Sequence, residues 1–366
     1  MLPDVYKWHV PGNKYILLCR SNTKLTNRYS LTLTGQQEAR TRWGTHVSGA
    51  EFDKKKSTFL TPQARSFIAE QVFCVIAGLG KHDEIRSLMV IDMPGFVQTL
   101  DQQTCLLPLE QQLATSHLVQ GLRSFHMAGH RARLSLCFIR HTTRERLCVH
   151  GDAELLSDTT NRLWLRLHVT QAFFHCPKYI HTQVPGLTAI EEQPLKHKQR
   201  TMLEDCSSVH LSAEIRTFIA QQAHCFLCTV DQDGQSAVNH RGGAPGFLVT
   251  RSPDNASPGG IILLPDYKGN GAFEAIGNVL ETGQAALLLP CFEHHIALSI
   301  TAKSYVLEPG DISSALRQQL PAAQRIIALS VQHIERQSGD WSSALAYELA
   351  RARSSANAQS PKTCSL

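Results

Sequence analysis

Apolar residues in this chain fall into two kinds of run, and the switch between them predicts its elements. Thr61 and Ser212 are helix-capping residue types, and each precedes an apolar pair at helical spacing, Phe67-Ile68 or Phe218-Ile219, so each opens a short helix. Strand-like runs follow. Phe226 to Val230 stops at Asp231-Gln232-Asp233-Gly234, a hairpin turn in which glycine supplies the positive φ. Ile261 to Leu264 and Ala285 to Leu289 are unbroken apolar runs of the buried-strand type, with a helical segment from Ala272 to Glu281 between them. His294-His295 opens a strand in which Ile296, Leu298 and Ile300 alternate with polar or small residues. Ile327, Leu329 and Val331 alternate again and close a second sheet. The stretch from Trp164 to Gly186 reads as an apolar helix-like segment ending at Cys176-Pro177-Lys178, and the polar tail from Ser354 reads as disordered.

The order helix, hairpin, strand, helix, strand, strand occurs twice. Leu60-Thr-Pro-Gln-Ala-Arg65-Ser-Phe-Ile-Ala69 lies against Leu211-Ser-Ala-Glu-Ile-Arg216-Thr-Phe-Ile-Ala220 at an offset of 151 residues, and the alignment runs without a gap to Pro94-Gly95-Phe96 against Pro245-Gly246-Phe247. Beyond that, Leu107-Pro108 matches Leu264-Pro265 at an offset of 157, so the second copy carries extra residues in the loop-type stretch Arg251 to Gly260. The expected organisation is an N-terminal extension (1–55), a first domain (56–190), a linker (191–204), a second domain (205–340) and a C-terminal polar tail (341–366).

Composition narrows the class. A chain of 366 residues with 42% hydrophobic and 18% charged residues has enough apolar material for two packed cores. Its formal charge of +5 comes from scattered residues, so nucleic acid is not implied; Lys54 to Lys56 reads as a solvated linker. Several of the 11 cysteines sit inside apolar runs (Cys74, Cys137, Cys225, Cys228), where a free thiol behaves as a small hydrophobe rather than as part of a disulfide framework. Cys225 and Cys228 lie three apart in a strand and so face opposite ways, which argues against a joint metal or redox role. His126 and His130 have helical spacing but no third ligand. Met1-Leu-Pro-Asp has no leader pattern and no apolar run reaches membrane-spanning length, so the expected compartment is the cytoplasm, with the sequon at Asn255 unglycosylated.

Chemistry concentrates in Asn239-His240-Arg241-Gly242-Gly243-Ala244-Pro245-Gly246-Phe247 and, some twenty residues on, Pro265-Asp266-Tyr267-Lys268-Gly269-Asn270-Gly271. Arg241 at a strand end offers a planar fork for phosphate oxygens, and the glycines after it let main-chain N–H groups approach closely. Lys268 and Asn270 stand at the entry to a helix, where unpaired N–H groups and the helix dipole favour an anion. Gly269-x-Gly271 lacks the third glycine of a dinucleotide fingerprint, since position 274 is Glu. No Ser-His-Asp or nucleophile-elbow pattern is present.

These two runs, with Phe273, Gly277-Asn278 and Ala285 to Leu289, resemble the FMN-binding split barrel of pyridoxamine 5'-phosphate oxidase-related proteins, well over residues 205–310 and more weakly over the first repeat. The resemblance implies a mainly β fold with helices (α+β), two tandem split β-barrels of the six-stranded Greek-key type forming a pseudo-dimer within the chain. It implies FMN as cofactor, held by Asn239, His240, Arg241, Gly242, Tyr267, Lys268, Gly269, Asn270 and Asn278. The first repeat has Val90 for Arg241 and Glu110 to Leu113 for Tyr267 to Asn270, so its phosphate site is lost. Arg144 and Arg146, or the segment Phe174 to Tyr179, are expected to reach across from the first barrel. The expected function is an FMN-dependent oxidoreductase acting on a small-molecule substrate or electron donor, without nucleic acid or membrane and with homodimerisation open. The alternative is a non-catalytic flavin- or haem-binding or sensor module on the same fold.

Overall fold

The computed structural model describes residues 6–10, 14–18, 33–109, 111–189, 209–255 and 257–359; the expected linker, 191–204, lies outside them. Strands β1 (Tyr6–Val10) and β2 (Lys14–Leu18) pair as a hairpin, and helices α1 (Gly35–Arg42) and α2 (His46–Asp53) follow. The first repeat is α3 (Pro62–Ala69), β3 (Phe73–Leu79), β4 (Ile85–Ile91), β5 (Gln98–Thr99), β6 (Thr104–Leu109), α4 (His117–Met127), β7 (Ala132–Arg140), β8 (Glu145–Ser157) and β9 (Leu163–Phe174). The second is α5 (Ala213–Gln221), β10 (His224–Val230), β11 (Ser236–Gly242), β12 (Val249–Arg251), β13 (Ile261–Asp266), α6 (Glu274–Thr282), β14 (Gln284–Cys291), β15 (Ile296–Leu307), α7 (Ser314–Gln319) and β16 (Arg325–Ser338), with α8 (Ser342–Gln359) at the end.

Both repeats follow one circuit. Their antiparallel sheets run β4-β3-β7-β8-β9-β6-β5 and β11-β10-β14-β15-β16-β13-β12, which are the same order element for element. Each sheet has seven strands where six were expected, because β5 and β12, only two and three residues long, pair at the edge. The helix openings read from the sequence hold: Thr61 Oγ1 accepts from Ala64 N and Ser212 Oγ from Ile215 N.

Alternation along the strands sorts side chains into three large cores, with a smaller fourth where Leu316 of α7 packs with Ile261 and Ile326. One face of each sheet curls around its own apolar interior, with Leu134, Leu136 and Leu167 in the first barrel and Leu227, Leu287 and Ile327 in the second. The opposite faces meet each other, so Phe73, Met89 and Phe173 pack with Phe226, Leu288 and Phe292. Cys225 lies in the second barrel's interior and Cys228 in the contact between barrels, as residues three apart in a strand must. A few polar links fix the register of that contact: Ser87 Oγ and Ser299 Oγ stand 2.8 Å apart, and Ser236 Oγ donates to Ala77 O at 2.8 Å. Cys74, Cys105, Cys137, Cys148, Cys176, Cys225 and Cys228 are free thiols, and among the described residues no helix is long and apolar enough to cross a membrane.

Four sequence expectations change. The segment from Trp164 is not helical but forms β9, in which Leu165, Leu167 and Val169 are buried while Arg166, His168 and Thr170 are exposed; this is a period of two that the continuous apolar reading hid. The tail expected to be disordered from Ser354 is helical as far as Gln359, beyond which it lies outside the described residues, and Trp341, Ala344 and Leu345 near the start of this helix are buried between the barrels. His294 and His295 form a turn ahead of β15, with His295 left-handed at φ 54°. Lys56 is not a solvated linker residue: its amine lies 5.2 Å from the Phe173 ring centre and 3.6 Å from Asp53 Oδ1, with only 15% of its side chain exposed.

Candidate functional site

Between the barrels, where β11 ends and the β13–α6 turn begins, lies a cleft of about 100 Å³. Register explains its position. Cys225 pairs with Arg241 across β10 and β11, so Asn239 to Gly242 fall at the end of a buried hairpin, and β13 delivers Asp266 and the turn Tyr267 to Gly271 beside it. The first barrel supplies the opposite wall: Arg146 from the start of β8, and His175, Lys178 and Tyr179 just after β9. Arg144 is not there; it sits at a positive-φ turn and lines a different groove.

Of the residues expected to hold the cofactor, Asn239, His240, Arg241, Gly242, Tyr267, Gly269 and Asn270 line this cleft. Lys268 points to a second, larger groove of about 710 Å³ on the other side of the same turn, bordered by Trp43 and Arg325. Asn278 lies away from both; its amide donates to Thr229 Oγ1 at 3.1 Å in the barrel interior, a structural bond. Gly242 has a steric reason for being glycine, since a Cβ there would run into the Tyr179 carbonyl oxygen.

Three residues outside the expected set change the electrostatics. Asp266, 4% exposed, accepts from Arg241 Nη1 at 2.9 Å on one oxygen and from Arg325 Nη2 at 2.7 Å on the other. Glu274, the first residue of α6, stands 3.9 Å from His150 Nε2 and 4.0 Å from Lys56 Nζ. Asp266 was visible in the motif but had no assigned role, and the approach of Lys56 and His150 to Glu274 gave no sequence signal because the partners are more than 100 residues apart.

Several polar atoms around the cleft are buried without a hydrogen-bond partner: Arg146 Nε, His175 Nε2, Asn239 Nδ2, both ring nitrogens of His240, Arg241 Nε and Glu274 Oε2. Buried polar groups are otherwise almost always paired, and leaving each one unpaired costs roughly 1–3 kcal/mol. Burial holds His175 and His240 well below the ordinary histidine range, reinforced by the Arg146 charge, so both rings are neutral near pH 7. Phe273 precedes α6 in the left-handed region at φ 55°, an unusual conformation for a bulky residue, and α6 has no side-chain cap. Its counterpart in the first repeat, Ser116, is an ordinary extended cap that accepts from Val119 N.

The residues suit a phosphorylated flavin at the level of donor chemistry. Arg146, Lys178 and Arg241 outnumber the carboxylates Asp266 and Glu274 on the walls, and the unpaired atoms are mostly donors or neutral rings. The phosphate would meet Arg241, Asn270 and the uncapped start of α6, and the first barrel would face the ring through Arg146, His175 and Tyr179. At about 100 Å³ the cleft is smaller than the roughly 300–1,000 Å³ usual for such ligands, so a tricyclic ring requires its walls to separate.

Strand order and inter-barrel cleft together define a protein of two repeated, antiparallel seven-stranded barrels that share a cleft. The chain is similar in structure to HupZ of Group A Streptococcus (14% identity, 35% of this chain and 94% of that one, TM-score 0.28). It is also similar to a putative pyridoxamine 5'-phosphate oxidase of Lactobacillus delbrueckii (17%, 35% and 95%, TM-score 0.27) and to HutZ, the heme storage protein of Vibrio cholerae (14%, 35% and 94%, TM-score 0.24). Each covers about a third of this chain. No protein-family model matches the chain, and no curated protein does.

Proposed function

We propose that the chain binds one FMN-type flavin in the cleft between its barrels and acts as an oxidoreductase on a small-molecule substrate or electron donor. The carrying observation is the shell of buried, unpartnered polar atoms around Arg241, contributed by both barrels and enriched in positive charge. Flavin would supply hydride or electron transfer. The chain's part is to anchor phosphate at Arg241 and Asn270, to orient the ring with Arg146 and Tyr179, and to limit water access by packing barrel against barrel.

The test is titration of the full-length protein with FMN and with riboflavin, followed by oxidation of a reduced nicotinamide by the loaded protein. One equivalent of FMN, bound at least tenfold more tightly than riboflavin, is expected. Binding of two equivalents with like affinity, or no preference for the phosphorylated form, overturns the reading. A flavin that binds without supporting turnover leaves the non-catalytic alternative. The neutral imidazoles of His175 and His240 also favour a haem version of that alternative, since neutral imidazole is the form that ligates iron, and an intense Soret band on haem addition would identify it.

A further inference from the structure

The internal repeat gives the molecule two equivalent inter-barrel positions, of which only one carries Arg241. At the first, Glu274 at the start of α6 faces β8 of the other barrel, 3.9 Å from His150 Nε2. At the offset of 157 residues the counterpart of Glu274 is His117, the first residue of α4, which faces β16. The strand registers correspond as well: His150 pairs with Gln171 just before the bulge in β8, and Thr301 pairs with His333 just before the bulge in β15. At this second position three metal-ligating side chains converge, His117, His333 and Glu335, with one ligand atom of each within 4.8 Å of the others.

We propose that His117, His333 and Glu335 form a divalent metal site of the zinc class that ties the first barrel to the second. His333 and Glu335 are two apart on β16 and so project from the same face. Glu335 Oε2 lies 3.1 Å from His117 Nδ1, its other oxygen accepts from His117 N at 3.3 Å, and the two imidazole centres are 4.8 Å apart. Ligands of a tetrahedral zinc with bonds of about 2.0–2.1 Å stand roughly 3.3 Å from one another, so side-chain rotations of about 1 Å close the set. Two histidines and one carboxylate are a recurrent zinc donor set that leaves a fourth position for water, and His117, with 39% of its side chain exposed, opens this one to solvent.

Two further observations point to a ligand. His333 Nε2 is buried without a hydrogen-bond partner, whereas buried polar atoms are almost always paired. Among the described residues the Glu335 carboxylate is ion-paired with His117 alone, while the Arg86 guanidinium pairs with Glu84 at 2.9 Å.

The experiment is titration of chelator-stripped, full-length protein with Zn²⁺ in competition with a chromophoric chelator, alongside His333→Ala, Glu335→Gln and His117→Gln. Wild type should take up one equivalent and melt higher with zinc than without. Each variant should bind at least tenfold more weakly and lose the zinc-dependent rise, while keeping the wild-type melting temperature without metal. His117→Gln, at the half-exposed position, serves if a β16 variant fails to fold. Absence of a stoichiometric zinc site in wild type, or binding by the folded variants equal to wild type, overturns the proposal.

Discussion

Arg241 and Asp266 are joined at 2.9 Å across the mouth of the inter-barrel cleft, and Arg325 holds the other carboxylate oxygen at 2.7 Å. Asp266 therefore does two things: it orients the Arg241 guanidinium, and it cancels only part of the charge of two cations. Arg241 Nε stays buried without a partner and is available to a ligand.

Arg241→Ala should weaken FMN by one to two decades, the loss of a charge-assisted contact worth about 1.5–3 kcal/mol. Arg241→Lys should recover only part, because an ammonium keeps the charge but not the fork. Riboflavin, lacking phosphate, should be nearly indifferent to both changes. Dissociation constants for both ligands against wild type and the two variants decide; equal losses for the two ligands would mean that Arg241 supports the fold and not the phosphate.

Stability should separate the members of the triad. Asp266→Ala leaves the buried Arg325 guanidinium without its carboxylate beside the half-buried Arg241 and should cost about 3–5 kcal/mol. Arg241→Ala leaves the Asp266–Arg325 pair intact and should cost markedly less. Urea midpoints of the two variants at pH 7 give the comparison, and a smaller loss for Asp266→Ala contradicts the pairing.

Acid sensitivity follows from the buried histidines. Burial lowers His141 to about 4 and holds His175, His224 and His240 well below the ordinary value. As pH falls below about 6.5 the unfolded chain takes up protons that the folded chain refuses, so stability is full above that value and declines on acidification. Each ring contributes a slope of at most about 1.4 kcal/mol per pH unit, beginning above the range in which carboxylates titrate. Urea midpoints measured from pH 7.5 to 4.5 should drop, steeply below 6.5; a flat profile down to pH 5 contradicts the neutral, buried assignment.

Gly277 is where α6 touches the N-terminal helix. A Cβ there would strike Gln36 N, and one at Gly35 would strike the Gly277 carbonyl oxygen, so α1 and α6 meet backbone to backbone. Gly277→Val should lift α1 from the second barrel. Limited proteolysis should then cleave within residues 33–56 at least tenfold faster than in wild type, with the rest of the chain still protected.

The repeat, the capped helices, the hairpin at Gly234 and the cluster around Arg241 were legible because each depends on residues close in sequence: a cap is three residues from its amide, and a turn fixes its own φ. The same local logic went wrong where packing partners decide the outcome. Leu165, Leu167 and Val169 alternate as a strand only because β6 and β8 flank them, and Trp341 ceases to belong to a polar tail only because the contact between barrels covers it. The site divides the same way. The sequence by itself determined two barrels, one with an arginine and a glycine-rich turn suited to phosphate and one without. Only the tertiary structure decided that Asp266 would share Arg241 with Arg325, that Lys56 would lie against Phe173 near Glu274, and that His117 would meet His333 and Glu335. The physical reason is distance along the chain: these charges and ring nitrogens acquire their partners from segments 25 to 218 residues away, and no local pattern records which faces the two sheets will turn toward each other.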